Sequence, residues 1–266
     1  MYNTSYHRAS SVSDAAAQFA AADEAKYLAG GMTLIATMKQ RLAAPSDLID
    51  LRHIAELKGI TISGSKVRIG ASTTHFEVQN SSALKAACPA LSALAGMIGD
   101  PHVRHMGTIG GSVANNDPAA DYPAAVLALD ARVITDKRTI TAGDFFQGLF
   151  ETALEEGEII TAFEFDAPAK AGYSKFANPA SRFAMTGVFV AKAADGSVRV
   201  AVTGAGSDGV FRHQGMEQAL ATNWSPDAVA SQPVDPDDML SDIHGSSEYR
   251  ANLVKVMAKR AVIAAG

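Results

Sequence analysis

Residues 108–121 read TIGGSVANNDPAAD, and this stretch constrains the fold more than any other in the chain. Gly110 and Gly111 lack Cβ atoms, so the backbone can turn sharply and another group can approach its N–H donors. Thr108, Ser112, Asn115 and Asn116 add short polar side chains. The segment after Asp117 is apolar at helical spacing, which places the glycine turn on or near a helix N-terminus. Such an end carries unsatisfied N–H groups and partial positive charge, and it favours phosphate. A second pair stands upstream. Residues 27–39 read YLAGGMTLIATMK. A short apolar run ends in Gly30-Gly31, and a helical pattern with Ile35, Met38 and Leu42 on one face follows. Neither loop fits the dinucleotide fingerprint with three spaced glycines, nor the P-loop ending in Gly-Lys-Ser/Thr. Together they describe a two-loop, non-Rossmann site for a large diphosphate ligand.

The rest of the chain is read against that site. With 266 residues there is room for two or three small domains with real cores. A hydrophobic content of 47% and a charged content of 19% are those of a globular protein. The net charge of -5 and pI near 5.8 argue against a nucleic-acid footprint. No apolar run is long enough to span a bilayer, and the first ten residues, MYNTSYHRAS, carry no signal-peptide h-region. The expected compartment is the cytoplasm. Cys88 is the single cysteine, so this chain forms no internal disulfide and holds no iron–sulfur cluster. In its apolar context it reads as a small buried residue.

Periodicity and turn residues predict helices over 11–22 and 33–42, with strands at 26–29 and 47–51, as a compact first α/β lobe. A hairpin is predicted from 57–63 and 66–71, and the Thr74/Glu77 spacing predicts a capping box. His75 reads as a surface or capping residue. Helical patterns cover 84–98 and 123–129, a hairpin crosses Asp136-Lys137, and a strand covers 159–165. Residues 167–172 (APAKAG) read as the linker between domains. Beyond it come a hairpin across Asp195-Gly196, a short helix at 216–221, a surface excursion over 225–245 and a helix over 247–265. Tyr249, Leu253, Val256, Met257 and Ile263 lie near one face of that helix, a stripe that reads as domain core or subunit interface rather than a membrane element. His102 and His105 could share a helical face, but no carboxylate–histidine constellation accompanies them, and no metal site is assigned. No acid–base pair, nucleophile elbow or paired carboxylate stands out either. That absence suits a protein whose cofactor carries the chemistry.

AGGMTLIATMK and TIGGSVANNDPAAD, with IGDPHVRHMGT between them, resemble the FAD-binding medium subunit of the molybdenum hydroxylases, the carbon monoxide dehydrogenase, xanthine dehydrogenase and aldehyde oxidase group. The resemblance extends over nearly the whole chain. It implies an α+β fold: a two-lobed FAD-binding domain of the vanillyl-alcohol-oxidase/PCMH type (1–55 and 56–166), then a C-terminal domain (172–266) with a small antiparallel sheet and helices. It also implies cofactor contacts. Leu28, Ala29, Gly30, Gly31, Met32, Thr33 and Leu34 match the first loop, with backbone N–H groups on the FAD diphosphate. Thr108, Ile109, Gly110, Gly111 and Ser112, with Asn115 beyond, match the second. Asp121 matches an acid suited to a sugar or ribityl hydroxyl, Ile98 a contact before the second loop, and Ile160 a backbone contact. Lys175 matches a lysine near the flavin ring, where a cation favours the reduced, anionic flavin. Met32-Thr33 stands where many relatives carry His or Gln then Ser, and Ser112 where many carry Asn.

The implied role is electron transfer. Molybdopterin on a large partner subunit and two 2Fe–2S clusters on a small one would feed the FAD held here, in a complex that is a dimer of heterotrimers. Two alternatives stay open on the residues alone: a free-standing FAD oxidase or dehydrogenase, and a flavin-less binding module of the same fold.

Overall fold

The computed structural model describes all 266 residues. The first unit runs β1 (Ser5–Arg8), α1 (Val12–Ala20), β2 (Ala25–Leu28), α2 (Leu34–Lys39) and β3 (Asp47–Asp50). Its strands are all parallel, in the order β1-β3-β2. The Ser11 hydroxyl accepts from Asp14 N and caps α1. Ala15, Ile49, Ile54 and Leu57 close a small core behind the sheet. β1 is an edge strand with no buried residue, so no apolar alternation in the sequence announces it.

The second unit opens with the expected hairpin of β4 (Ile60–Ser63) and β5 (Lys66–Gly70). Six short helices follow: α3 (His75–Asn80), α4 (Ser82–Ala87), α5 (Pro89–Gly96), α6 (Pro101–Met106), α7 (Ile109–Asn115) and α8 (Tyr122–Ala128). The run 84–98, expected as one helix, breaks at Cys88 because Pro89 can only open a helix there. The second glycine pair does not precede a helix; it lies inside the first turn of α7, with Thr108 as N-cap. β6 (Arg132–Thr135), β7 (Thr139–Thr141), α9 (Ala142–Phe145), β8 (Phe146–Gly148), β9 (Glu151–Thr152) and β10 (Ile160–Asp166) complete the unit. Its main sheet has the order β4-β5-β10-β6-β7, and all neighbours are antiparallel. The helices bury Leu91, Leu94, Tyr122 and Val126 against Val67, Ile69 and Phe163 of this sheet, in the largest core of the molecule.

The third unit contains β11 (Lys170–Ala177), β12 (Ala184–Lys192), β13 (Val198–Thr203), β14 (Phe211–Arg212), α10 (Gln214–Thr222), α11 (Pro226–Ala230) and α12 (Ser247–Ala265). Its antiparallel sheet runs β11-β12-β13-β14, and α12 packs on it. Two expectations are corrected here. The stretch 167–172 is not all linker: β11 begins at Lys170, and Gly172 is the point where α12 presses on the sheet. A methyl on Gly172 would overlap the Ala261 carbonyl oxygen and lie 2.9 Å from Ala265 N. α12 buries Arg250, Leu253, Val254 and Met257 with Ala251, Ala258 and Ala261, while Tyr249 and Ile263 are 42% and 60% exposed. The alanines, not the largest side chains, set the close face. The excursion 225–245 is packed rather than superficial, since Val229, Val234 and Met239 enter the core.

Candidate functional site

The two glycine loops, about eighty residues apart in sequence, meet in space. A methyl on Gly30 would overlap the Met106 carbonyl oxygen and come within 2.7 Å of Gly107 Cα. One on Gly111 would lie 3.5 Å from Ala29 Cβ. Gly31 adopts φ +74, the left-handed region that glycine enters without a Cβ penalty.

Their backbones differ in a way that matters chemically. From Ala29 through Leu34, six consecutive residues, no backbone N–H donates to any group of the chain. Met32 and Thr33 are exposed, and Thr33 makes no side-chain cap on α2. In the second loop the donors from Ile109 to Ser112 are occupied. Ile109 N donates to Thr73 O, Gly110 N to Ala71 O and Ser112 N to Thr108 O, and Gly111 N donates to the Thr108 hydroxyl. A methyl on Gly110 would sit 2.6 Å from Ala71 O. Gly110 and Gly111 therefore give clearance for close backbone packing, whereas the first loop presents the free donors. The Ser112 and Asn115 side chains are half-buried and make no hydrogen bond within the chain. Ile109 and Ile160 are buried in the main core, so only their backbones are available to a ligand.

Behind the second loop lies His75. It is buried, 4% exposed, and not a surface residue as expected. Its N–H donates to Gly107 O at 2.9 Å, and its ring fills the space beside Gly107. Burial, reinforced by Arg104, pushes the imidazole down to about 4, so it is neutral near pH 7. The capping box on Thr74 and Glu77 forms as predicted and fixes this corner.

An open cleft of about 490 Å³ lies between the second and third units. Its walls include Gly96, Met97, Gly99 and Arg104 on one side and Lys175, Asn178 and Arg182 on the other. Ile98, half-buried, lies between two lining residues. The first wall continues through α6 to Gly107, the residue packed on Gly30. Lys175 is tied to Asp121: its Nζ lies 2.9 Å from Oδ1 and 3.1 Å from Oδ2, and it also donates to Arg182 O at 3.0 Å. The Tyr173 hydroxyl donates to Asp121 Oδ1 at 2.6 Å. Burial lifts the Asp121 carboxyl above its ordinary range, while Lys175 and Tyr173 oppose the rise. Tyr173, Arg104 and Arg182 were not singled out from the sequence. The signal for Tyr173 was its spacing, two residues before Lys175 on a strand, which puts both side chains on one face.

His102 and His105 lie on α6, and His105 stacks on Phe76 with ring centroids 4.0 Å apart. No three His, Cys, Asp or Glu side chains converge anywhere in the molecule. No helix is long and apolar enough to cross a membrane.

This geometry has counterparts in known proteins. Residues 2–167 match the family described as the FAD binding domain in molybdopterin dehydrogenase. The chain is 34% identical to the carbon monoxide dehydrogenase medium chain of Hydrogenophaga pseudoflava over 275 residues, covering 98% of this chain and 96% of that one. It is also 34% identical to the nicotine 6-hydroxylase medium subunit of Paenarthrobacter nicotinovorans, with the same coverage. Among solved structures, reconstituted CO dehydrogenase from Oligotropha carboxidovorans superposes with a TM-score of 0.89 at 33% identity, covering 99% of this chain and 97% of that one.

Proposed function

The chain belongs to the family of FAD-binding medium subunits of the molybdenum hydroxylases, and from that premise we propose that it is the electron-transfer flavoprotein of such a complex. The observation that carries this reading is the run of six unpartnered N–H groups from Ala29 to Leu34. A diphosphate brings the acceptor oxygens such a run lacks.

The residues present fit FAD. In this reading the amides of Ala29, Gly30, Gly31, Met32, Thr33 and Leu34 hold its diphosphate. Thr108 and Ile109 with Gly110 and Gly111 form the second wall, where the Ser112 hydroxyl and the Asn115 amide are free to bond the cofactor. Ile98 and Lys175 border its ring, Asp121 fixes Lys175 and takes a cofactor hydroxyl, and Ile160 offers its backbone. When bound, FAD supplies the two-electron chemistry, accepting electrons that originate at a molybdopterin centre on a large partner, travel through two 2Fe–2S clusters on a small partner, and leave to an external acceptor. The chain's own part is to bind, orient and set the electrostatics. We read its units as 1–55, 56–166 and 172–266, and the complex as a cytoplasmic dimer of heterotrimers. Exposed apolar side chains, Leu149, Phe150 and Ile243 among them, suit partner surfaces. A free-standing oxidase would need acid–base groups in the cleft; Arg104, Lys175 and Arg182 are cations and supply no base.

The test is an absorbance spectrum of the native complex, captured through a tag on this chain. Flavin bands with iron–sulfur absorbance, and one large and one small companion, are the expected result. Flavin with substrate turnover and no partners would replace this reading by the free-standing enzyme. A colourless protein that takes up no added FAD would refute both.

A further inference from the structure

We infer that Tyr173 is a positioning residue of the cofactor site: it holds Asp121 as the counter-ion of Lys175, and so sets how much positive charge Lys175 presents to the cleft. The inference rests on the reading that the cleft takes FAD.

The arrangement is built from three elements. Asp121 enters at the start of α8, and Tyr173 and Lys175 come from one face of β11. Opposite Lys175 on β12 stands Gly187. A methyl there would be 2.5 Å from the Tyr173 hydroxyl and 3.0 Å from Thr203 Cγ2. Gly187 thus leaves the room through which the Tyr173 hydroxyl reaches Asp121. The backbone leading into Asp121 is tied down as well. Gly204 N donates to Pro118 O at 2.9 Å and Ala184 N to Ala119 O at 3.3 Å, while the Thr203 hydroxyl donates to Ala120 O at 2.7 Å. The carboxylate is 4% exposed, and both of its oxygens receive donors from Tyr173 and Lys175. Lys175, in turn, has a side chain that is 5% exposed yet lines the cleft.

The electrostatic consequence follows. An uncompensated ammonium beside a flavin favours the reduced, negatively charged form. A tightly held carboxylate cancels most of that field, and in a site screened from water the cancellation counts for more than it would in solvent. The Tyr173 hydrogen bond keeps the negative charge on the carboxylate oxygens next to Lys175. Without it, Asp121 is a poorer anion and Lys175 acts more strongly.

The experiment is a potentiometric titration of the flavin in the tag-purified complex, with FAD content measured on the same samples. The variants are Tyr173→Phe, Gly187→Ala and Asp121→Asn. The expected order of midpoint potentials, each read on the FAD-loaded fraction, is wild type, then Tyr173→Phe, then Asp121→Asn, with FAD retained in Tyr173→Phe. For Asp121→Asn the reduced form should gain at least about tenfold in relative binding, a positive shift of about 30 mV for a two-electron couple. Gly187→Ala, which displaces the tyrosine hydroxyl without altering either charge, should shift in the same direction as Tyr173→Phe. Full FAD content with unchanged potentials in Tyr173→Phe and Gly187→Ala would overturn the inference. So would loss of FAD from these two variants with no shift in the remainder, because that is the behaviour of a merely structural residue. A wild-type complex without flavin would instead remove the FAD reading itself.

Discussion

The contact between the two glycine loops gives the sharpest test of the site. Gly30→Ala adds one methyl whose obstacles, Met106 O and Gly107 Cα, are both backbone atoms, so no rotamer change can relieve it. The distance to Gly107 Cα would be 2.7 Å, where packed carbons prefer about 3.5–4.0 Å. The loops must therefore part by about 1 Å. Overpacking of this kind costs about 1–3 kcal/mol. For a chain of this size each kcal/mol lowers Tm by roughly 2–4 °C, so a fall of about 2–12 °C is expected. Borne by the bound form, the same cost lowers FAD affinity by about 5- to 150-fold, since 1.4 kcal/mol is one decade of affinity. The control is Gly143→Ala in α9, where the added methyl meets nothing closer than Thr141 Oγ1 at 3.9 Å. Differential scanning calorimetry of the full chain and equilibrium dialysis with FAD read both effects. A Gly30→Ala chain that melts with the wild type and binds FAD equally would refute the packing argument. So would a Gly143→Ala chain that loses as much.

Other predictions follow from buried groups. His75 is held down to about 4, so between pH 6.5 and 5 the unfolded chain binds a proton that the folded chain does not. Its contribution is complete above pH 6.5 and falls by about 1.4 kcal/mol per pH unit below it, about 2 kcal/mol by pH 5. Asp50 and Glu158 are desolvated, but Arg52 and Arg138 outweigh this and hold both at about 2, so their stabilisation is lost only as the pH falls below the ordinary carboxylate range. Urea midpoints at pH 7 and pH 5 should therefore diverge in the wild type and converge in His75→Asn; an unchanged gap refutes the assignment. Arg250→Met removes donors to the buried carbonyls of Met185 and Gly204, each at 2.7 Å. It should cost about 2–5 kcal/mol, whereas Asp242→Asn, at its exposed partner, should cost under about 1 kcal/mol. Gly172→Ala should destabilise by at least about 1–3 kcal/mol, because Ala261 O and Ala265 N leave no room for a methyl; a neutral melting curve would show that α12 can move away.

Local chemistry made much of the fold legible. Thr74 is an N-cap that its spacing to Glu77 announces, and α12 has the bounds its periodicity suggested. Long-range packing made the rest illegible. β1 exists because a parallel partner, β3, is available, not because its own residues alternate. Of the stripe read on α12, Leu253 and Met257 are buried while Tyr249 and Ile263 stay exposed, and the helix meets β11 closely where Ala261 lies over Gly172. Arg250 faces inward for a reason no helical wheel contains: two carbonyls from other elements point at it. His75 was misplaced for the same reason, since its burial depends on Gly107 lying over it.

The glycine pairs show how far sequence alone reaches into the site. Both read as phosphate loops, since both place two residues without Cβ atoms next to a helix start. Whether a loop amide is a free donor depends on what lies across from it, and that partner is remote in sequence. Ala71 and Thr73 occupy the amides of Gly110 and Ile109, and the Thr108 hydroxyl takes that of Gly111. No acceptor of the chain takes the amides from Ala29 to Leu34. Two similar motifs therefore divide one task. The second fixes a rigid wall by spending its own donors on the fold, and the first keeps its donors for a ligand because the wall holds it in place. The division also explains the tolerance to Met32, whose side chain faces solvent at 42% exposure. In the proposed reading the first loop would meet the diphosphate through its backbone, so the loop needs a shape and a set of free amides more than it needs particular side chains.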